Sequence, residues 1–476
     1  MFKKFLGDYE FIWGPVKKGV CESSYYHFLT SSEELHELDI TLGYKTRKAI
    51  KIAKEKKNLY EQILIIERIA GMHAFSASLS YCLAVEDYFD LTDKIPEYIK
   101  LIRMFFAELE RLRNHVENLS EISGSTYLEV PSSLYAYYAE KIKQISSEVN
   151  FSRYLMGINT VGGIILNNLN YRIDRIDGAI NTHTNADINT NHDININIAA
   201  DLDTNANINS NFNTANTNKH NEDILKGFEY IIKEISLYID NIEKIIKQNS
   251  ETKSHIDRLK TTGKINLKIA EKFHAEGIVA KSVGINKDLR LKYPYLSYKD
   301  IKLEPASYND GDALSRYLIR IAEIRQSFNI IKICFEKLAK NFHDNIFNSI
   351  ESSYSSLSSS SDLNLKEQNK NKKEIEIDDN AKQFFNENLK NKNNFYGVNA
   401  AAHRNNKYGF GFSESSEGPI FCIVGEFNGK VFKKLNIKYP FDNNYKVFSY
   451  FTKNTMMMDF NINETSYNFS VAACDK

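Results

Sequence analysis

The segment Glu67-Arg68-Ile69-Ala70-Gly71-Met72-His73-Ala74-Phe75 sets three titratable side chains into an otherwise apolar stretch. Histidine changes charge near neutrality, so His73 is either a neutral core imidazole with one nitrogen satisfied or a group that handles protons. Glu67 and Arg68 are costly to bury alone, so each calls for a partner, and structural pairing is the first role to expect of them. Arg47, Asp288 and Arg290 read as scaffold or interface charges. Glu22, in an N-terminal loop, reads as a surface carboxylate. The run Met456-Met457-Met458 reads as core or interface filling rather than a cofactor box.

Helices must position most of these groups. Apolar periodicity predicts a long buried helix or helix pair over 58–90 and an amphipathic helix over 97–121 that carries Glu108-Leu109-Glu110-Arg111-Leu112-Arg113-Asn114-His115. Further helices are predicted near 133–148, 223–248, 266–276 and 311–342. Short alternating stretches over 8–43 read as strands. Near the C-terminus, Ile420–Phe427 and Lys430–Leu435 flank Asn428-Gly429, a strong hairpin signal. The fold class expected is mainly α (α+β), a helical core with a small antiparallel sheet built from the N- and C-terminal segments. Residues 178–222, rich in Asn, Thr, Asp and Ile, and residues 350–395, rich in Ser, Asn and Lys, bury too little apolar area to offset the entropy of ordering. They are expected to interrupt one domain made of 1–177, 223–349 and 396–476, with a short β-solenoid as the other reading of the first tract.

Composition narrows the function classes. The 476 residues carry 61 Lys plus Arg against 61 Asp plus Glu, so no global field favours nucleic acid or an anionic membrane. The five cysteines lie more than fifty residues apart, which suggests neither a disulfide framework nor a zinc ribbon and points to a reducing, cytoplasmic compartment. Met1–Phe5 opens no signal peptide, and no stretch of about 18 apolar residues exists. Membrane association is therefore expected through partners, with no direct transmembrane segment.

Collinear fragments resemble the nickel-iron hydrogenase large subunit family in its membrane-bound branch, which includes the quinone-site subunit of NADH:quinone oxidoreductase. Gly14-Pro15-Val16-Lys17-Lys18-Gly19-Val20-Cys21-Glu22 is similar to the family's Gly-Pro-Val-His-Ala-Gly-Ile-Ile-Glu. Leu42-Gly43-Tyr44 with Arg47, Ser80–Glu86, Ala107–Arg111, Asn114-His115 and Gly162-Gly163 follow in family order. So do Gly284–Arg290, Tyr293-Pro294-Tyr295 and Asp310–Ala313, the last opening a helix with Arg316, Arg320, Glu323 and Arg325. Active hydrogenases carry Glu-Arg-Val-Cys-Gly-Ile-Cys-Ser-Phe where this chain has Glu67–Phe75, so Ala70 and His73 stand at two thiolate positions. The second cysteine pair aligns with Ser470 and Ala473, with Cys474 one place beyond. Soft thiolates are what such a bimetallic centre needs, so the resemblance implies no metal here and no active nickel-iron hydrogenase.

Other family positions have changed too. Glu417, in Glu414-Ser415-Ser416-Glu417-Gly418, stands where relatives carry an arginine. Lys17 replaces the histidine, and Gly71 the tyrosine, that approach the quinone headgroup in relatives. Glu22 falls where membrane-bound relatives place a proton-passing carboxylate. The resemblance implies a subunit of a membrane-associated redox complex on the cytoplasmic face, packed against an iron–sulfur small subunit and docked on membrane ion-translocating subunits. No cofactor is expected on the chain itself; a quinone could bind in its cavity, and iron–sulfur clusters belong to a partner. Glu22 and His73 are the proton-handling candidates, and Lys17, Arg68, Ala70, Gly71, Glu417, Ser470 and Ala473 the expected cavity lining. The alternative is a non-catalytic structural subunit with a collapsed site, packed by Met72, Phe469 and their surroundings.

Overall fold

The computed structural model describes residues 9–15, 24–43, 46–166, 195–196, 214–358, 407–453 and 455–474. The chain divides into two compact units, residues 1–339 with 408–476, and residues 340–407. Among described residues, the second is helical over 340–358. Lys17 and Glu22 lie outside the described residues, as do most of the two compositionally biased tracts. Of the first tract, 195–196 and 214–222 are described; of the second, 350–358.

The first unit opens with strands β1 (Tyr9–Trp13), β2 (Ser24–Ser31) and β3 (Glu34–Leu42), all antiparallel. Helices α1 (Ala49–Lys54), α2 (Leu59–Ile66), α3 (Ala74–Tyr88), α4 (Glu97–Ser125) and α5 (Glu129–Asn150) follow. Short strands β4 (Asn159–Thr160), β5 (Gly163–Ile165) and β6 (Asn195–Ile196) pair with one another. Helices Thr214–Glu251 and Ala313–Ser358 bracket several short ones. The C-terminal part contributes β7 (Tyr408–Ser415), β8 (Gly418–Phe427), β9 (Phe432–Lys438) and β10 (Thr455–Met456), with helices Phe441–Phe451 and Phe460–Tyr467. The architecture is mainly α with small antiparallel sheets.

Both ends of the chain do meet in one sheet, where β10 pairs with β3 through Thr455↔Leu35. The Asn428-Gly429 hairpin, however, belongs to a separate sheet, β7-β8-β9. Its turn is held by Asn428 Oδ1, which accepts from the Lys430 and Val431 N–H groups, while Gly429 takes a φ of 88°. That sheet leaves the N-terminal one because β7 lies directly on α3. A Cβ on Gly411 would stand 2.0 Å from the Ser80 carbonyl oxygen, and one on Gly409 2.0 Å from that of Ala84. Only glycine permits this approach, and Ser413 Oγ seals it by donating to the Ser76 carbonyl at 2.7 Å.

Two further departures from periodicity have physical causes. The 58–90 stretch breaks after α2: Ala70 is extended, Gly71–His73 forms a 3-10 turn, and α3 starts at Ala74. The Met72 carbonyl is taken by Arg113 and Asn114 and cannot serve a continuous helix. The free N–H groups of Phe75 and Ser76 are instead received by Glu110 at 2.7 and 3.0 Å, an anionic partner well placed at a helix start. The second departure is α4, which has the periodicity of a half-exposed helix yet buries Glu108, Glu110, Arg111, Arg113, Asn114 and His115 as fully as its apolar side. Its polar face meets other buried charges rather than water. In the Met456–Met458 run, Met456 and Met458 are exposed while Met457 packs against an apolar cluster, so of the core and interface roles expected of the run, core filling holds for Met457 alone.

Candidate functional site

His73 lies at the break between α2 and α3, not within a helix, and is completely buried. Neither ring nitrogen finds a hydrogen-bond partner among the described residues. Its ring lies 5.5 Å from that of Phe441. Burial, reinforced by the Arg113 and Arg111 guanidiniums and only partly offset by Glu417, pushes the imidazole down to about 3. The ring is therefore neutral at physiological pH, with one N–H to donate and one lone pair to accept.

Ala70 and Ala473 belong to one apolar cluster with Tyr439, Phe441 and Tyr445, against which Phe469, Val471 and Cys474 pack. The Phe469 ring stacks on Tyr445 with centroids 4.3 Å apart. Ser470 is half-buried, and its Oγ accepts from the Ala473 N–H at 3.3 Å. Arg47 straps the two segments together: its guanidinium donates to the Ile69 carbonyl and to the Ala472 carbonyl, each at 2.9 Å, and to the Arg68 carbonyl at 3.3 Å. Arg47 is thus a scaffold cation. Ala70, Ala473, His73 and Ser470 offer two methyl groups, a neutral imidazole and a hydroxyl that accepts from the Ala473 N–H. That donor set does not suit a nickel-iron centre.

The two charges beside this segment part company. Arg68 is exposed and donates to the Leu64 carbonyl at 2.6 Å, so it is not the buried charge that the apolar stretch implied. Solvent satisfies a long guanidinium one turn from a helix end. Glu67 is buried and accepts from the Gly157 N–H at 3.0 Å through both oxygens; its partner is backbone, not a cation. Burial pushes its carboxyl up to about 7, against the pull of the Gly157 and Ser78 hydrogen bonds and the Arg68 charge.

Behind the site lies a buried charge cluster. Glu417 is paired bidentately with Arg320 at 2.6 and 2.9 Å, and accepts from Asn468 Nδ2 at 2.8 Å. A Cβ on Gly277 would strike the Glu417 carbonyl oxygen at 1.9 Å, so this glycine admits the Glu417 turn. Arg320 also approaches His115 Nδ1 at 3.4 Å, leaving Nε2 to carry the proton and donate to Glu323 at 2.9 Å. Glu323 receives Arg111 at 2.9 Å and Lys281 at 2.6 Å. Lys281 also meets Asp288 at 2.8 Å, and Arg290 bridges Asp288 and Glu108 at 2.8 and 2.9 Å. No more than 3% of any of these charged side chains is exposed. Burial works against ionising Glu323 and Asp288, yet Lys281 on the former, and Arg290 with Lys281 on the latter, hold both carboxyls well below the ordinary range.

The cluster reaches the 70–73 segment through the β7–β8 turn. Asn114 Nδ2 donates to the Met72 carbonyl at 2.7 Å and to Ser416 Oγ at 3.1 Å. Gly71 and Met72 face a cleft of about 190 Å³ whose other walls include Asn114, Asn118, Tyr154 and Asn468. Of the expected lining, Gly71 lies on this cleft; Ala70 and Ala473 are inside the apolar cluster, Arg68 faces solvent, and Glu417 is sealed in its ion pair. Asp288 and Arg290, expected as scaffold or interface charges, are members of the buried charge cluster. Sequence reading did not single out Lys281 or Glu414 as site groups. The spacing of Glu108, Arg111 and His115, and of Arg316, Arg320 and Glu323, one turn apart on two helices, is the signal that two polar faces meet.

Residues 217–476 match the family described as respiratory-chain NADH dehydrogenase, 49 Kd subunit. The chain is 25% identical over 333 residues to the C/D 1 subunit of NADH-quinone oxidoreductase from Aquifex aeolicus (strain VF5), covering 69% of this chain and 46% of that protein. It is 24% identical over 308 residues to the D subunit of NADH-quinone oxidoreductase from Wolbachia pipientis wMel, covering 64% of each. The chain thus spans about half the length of the first of these relatives. Its fold is similar to that of a chain in the membrane-bound sulfane sulfur reductase, an archaeal respiratory membrane complex, with a TM-score of 0.64, 15% identity and 98% coverage of both chains. No helix among the described residues is long and apolar enough to cross a membrane. This chain is a member of the family of the 49 kDa subunit of respiratory-chain NADH dehydrogenase.

Proposed function

We propose that this chain is the hydrogenase-type subunit of a membrane-associated redox complex on the cytoplasmic side of the membrane, holding no metal of its own and coupling electron transfer in a neighbouring iron–sulfur subunit to proton or other ion movement in membrane subunits. The observation that carries this is a run of buried polar groups: Asn114 joins the Met72 carbonyl to Ser416, and Ser416 is next in the chain to Glu417, from which Arg320, His115, Glu323, Lys281 and Asp288 follow in contact. Ionised groups in a protein core are expensive unless each is paired, and a chain that only filled space would be served as well by apolar residues. The cleft at Gly71 and Met72 is where a quinone or other carrier would approach, with neutral His73 behind it able to donate one hydrogen bond. Lys17 and Glu22 stay candidates on the family resemblance alone, Glu22 as a proton-passing carboxylate, while His73 acts as a donor rather than a titrating acid.

A second reading has its own support. Ala70 and Ala473 sharing one apolar cluster, with Phe469 stacked against it, is the packing of a site that has closed, so a purely structural subunit is the competing function. The deciding experiment tags the chain in its host, solubilises membranes gently and identifies co-purifying proteins by mass spectrometry, then assays the complex carrying His73→Ala and Glu417→Gln. Recovery with an iron–sulfur subunit and antiporter-like membrane proteins, and loss of electron transfer in both variants, supports the redox reading. An intact complex with unchanged electron transfer would leave the structural role. Recovery of the chain alone from the soluble fraction would refute both.

A further inference from the structure

The buried charge cluster holds one carboxyl more than it has cations. Arg111, Lys281, Arg290 and Arg320 are matched by Glu108, Asp288, Glu323 and Glu417, each within ion-pairing distance of a cation. Glu414, at the end of β7, is the fifth acid and is just as deeply buried. No cation pairs with it among the described residues; its Oε2 accepts from the Leu289 N–H at 3.1 Å, while its backbone N–H donates to Tyr295 Oη at 2.9 Å. Arg111 spends Nη2 on the Glu414 carbonyl oxygen at 2.5 Å, not on its carboxyl. With His115 neutral, the cluster balances only if Glu414 is protonated.

We propose that Glu414 is the proton-holding group of this cluster, carrying an exchangeable proton inside the fold that it gives up and takes back as charge changes on the neighbouring redox partner. This rests on the redox reading of the complex for its purpose, though not for its chemistry. The groups that face Glu414 set its balance from each side. Asp288, ahead of the helix Leu289–Lys292, opposes ionisation, and Arg290 on that helix favours it. Lys281 and Arg111 favour it from the helix Gly277–Lys281 and from α4, while Glu323 and Glu108 occupy those same cations. Burial, followed by the Asp288 carboxylate, outweighs the three cations and pushes the Glu414 carboxyl up to about 8. Release breaks the Glu414 O–H bond and leaves a carboxylate on the Leu289 N–H. The proton passes to bulk water as the base, and half-buried Asn286 and Lys287, just ahead of Asp288 in the chain, are the nearest partly exposed residues on that side in sequence. An electron arriving nearby adds negative charge and favours uptake; its departure favours release.

The test is infrared difference spectroscopy of the purified full chain, titrated from neutral to alkaline pH, for the C=O stretch of a protonated buried carboxyl. A band that disappears near pH about 8 in the wild type, and is missing in Glu414→Gln, supports the assignment; Gln keeps an acceptor for the Leu289 N–H. Glu67→Gln is the control: Glu67 and Glu121, both pushed up to about 7, contribute at lower pH, and their signal must survive in Glu414→Gln while the Glu67 part is lost in Glu67→Gln. If Glu414→Gln does not fold, Glu414→Asp serves instead and shifts the band. A wild type without the band, or a band unmoved in the Glu414 variant, overturns the proposal. The redox reading is judged separately in the complex: a pH profile of coupled ion movement identical in wild type and Glu414→Gln would refute the coupling while leaving the proton on Glu414.

Discussion

Arg320→Met isolates what the Glu417 turn needs. The substitution removes two short charge-assisted hydrogen bonds, at 2.6 and 2.9 Å, together with the contact to His115 and the bond to the Ser466 carbonyl at 3.2 Å. It leaves Glu417, 2% exposed, with the amide of Asn468 as its remaining side-chain donor. Removing one member of a fully buried pair costs about 3–5 kcal/mol, because the other charge is left without compensation. We expect a loss of about 4 kcal/mol at neutral pH, read by urea unfolding of the full chain followed by circular dichroism, with the slope unchanged. The sign with pH is diagnostic. In the wild type, burial opposes ionisation but Arg320 holds the Glu417 carboxyl below its ordinary value. Its stabilising contribution is therefore present above the ordinary carboxylate range and lost as pH falls through the depressed value. In Arg320→Met burial acts without the cation, the carboxyl moves upward, and protonation relieves it. The gap between the two proteins must narrow on acidification. Arg320→Met with Glu417→Met, which removes both charges, should recover most of the loss, to within about 1–2 kcal/mol of wild type. A single-variant loss below about 1 kcal/mol, or a gap that does not change with pH, would refute the view that this pair is the buried anchor of the turn.

Three further outcomes follow from the same geometry. Glu67→Gln should flatten part of the pH dependence of stability: a carboxyl moved from 4.5 to about 7 stabilises the fold below pH 4.5 and loses that contribution as pH rises through about 7, a change of about 3 kcal/mol visible in unfolding midpoints. Gly411→Ala should destabilise by about 3 kcal/mol or more, because the new methyl would meet the Ser80 carbonyl oxygen at 2.0 Å and neither backbone can yield; near wild-type stability would mean β7 does not lie on α3 as described. His73→Phe should leave thermal stability unchanged or raise it by about 1 kcal/mol, since two unpartnered buried nitrogens are replaced by ring carbon beside Phe441, while electron transfer in the complex falls. A large loss of stability instead would show that the imidazole has a structural partner.

The sequence alone carried the helical order and the C-terminal hairpin, because periodicity and turn chemistry are local properties of the chain. It also marked α4 as polar on one face. What it could not give is which charges meet. Arg320 finds Glu417 97 residues away, Arg290 finds Glu108 182 away, and Arg47 reaches from the N-terminal half to Ala472 425 away. A helical repeat states which face is polar but not whether water or another helix covers it; α4 looked half-exposed because a solvated face and a buried ion cluster have the same spacing. The break at Gly71–His73 was hidden for a related reason. It depends on Arg113, Asn114 and Glu110 taking backbone groups that the local sequence would have used for a continuous helix. The tertiary structure thus decided that Glu417 is sealed, that Arg68 faces water, and that Glu414 is the carboxyl without a cation. Each is a matter of which distant group stands within hydrogen-bond reach once the chain is folded.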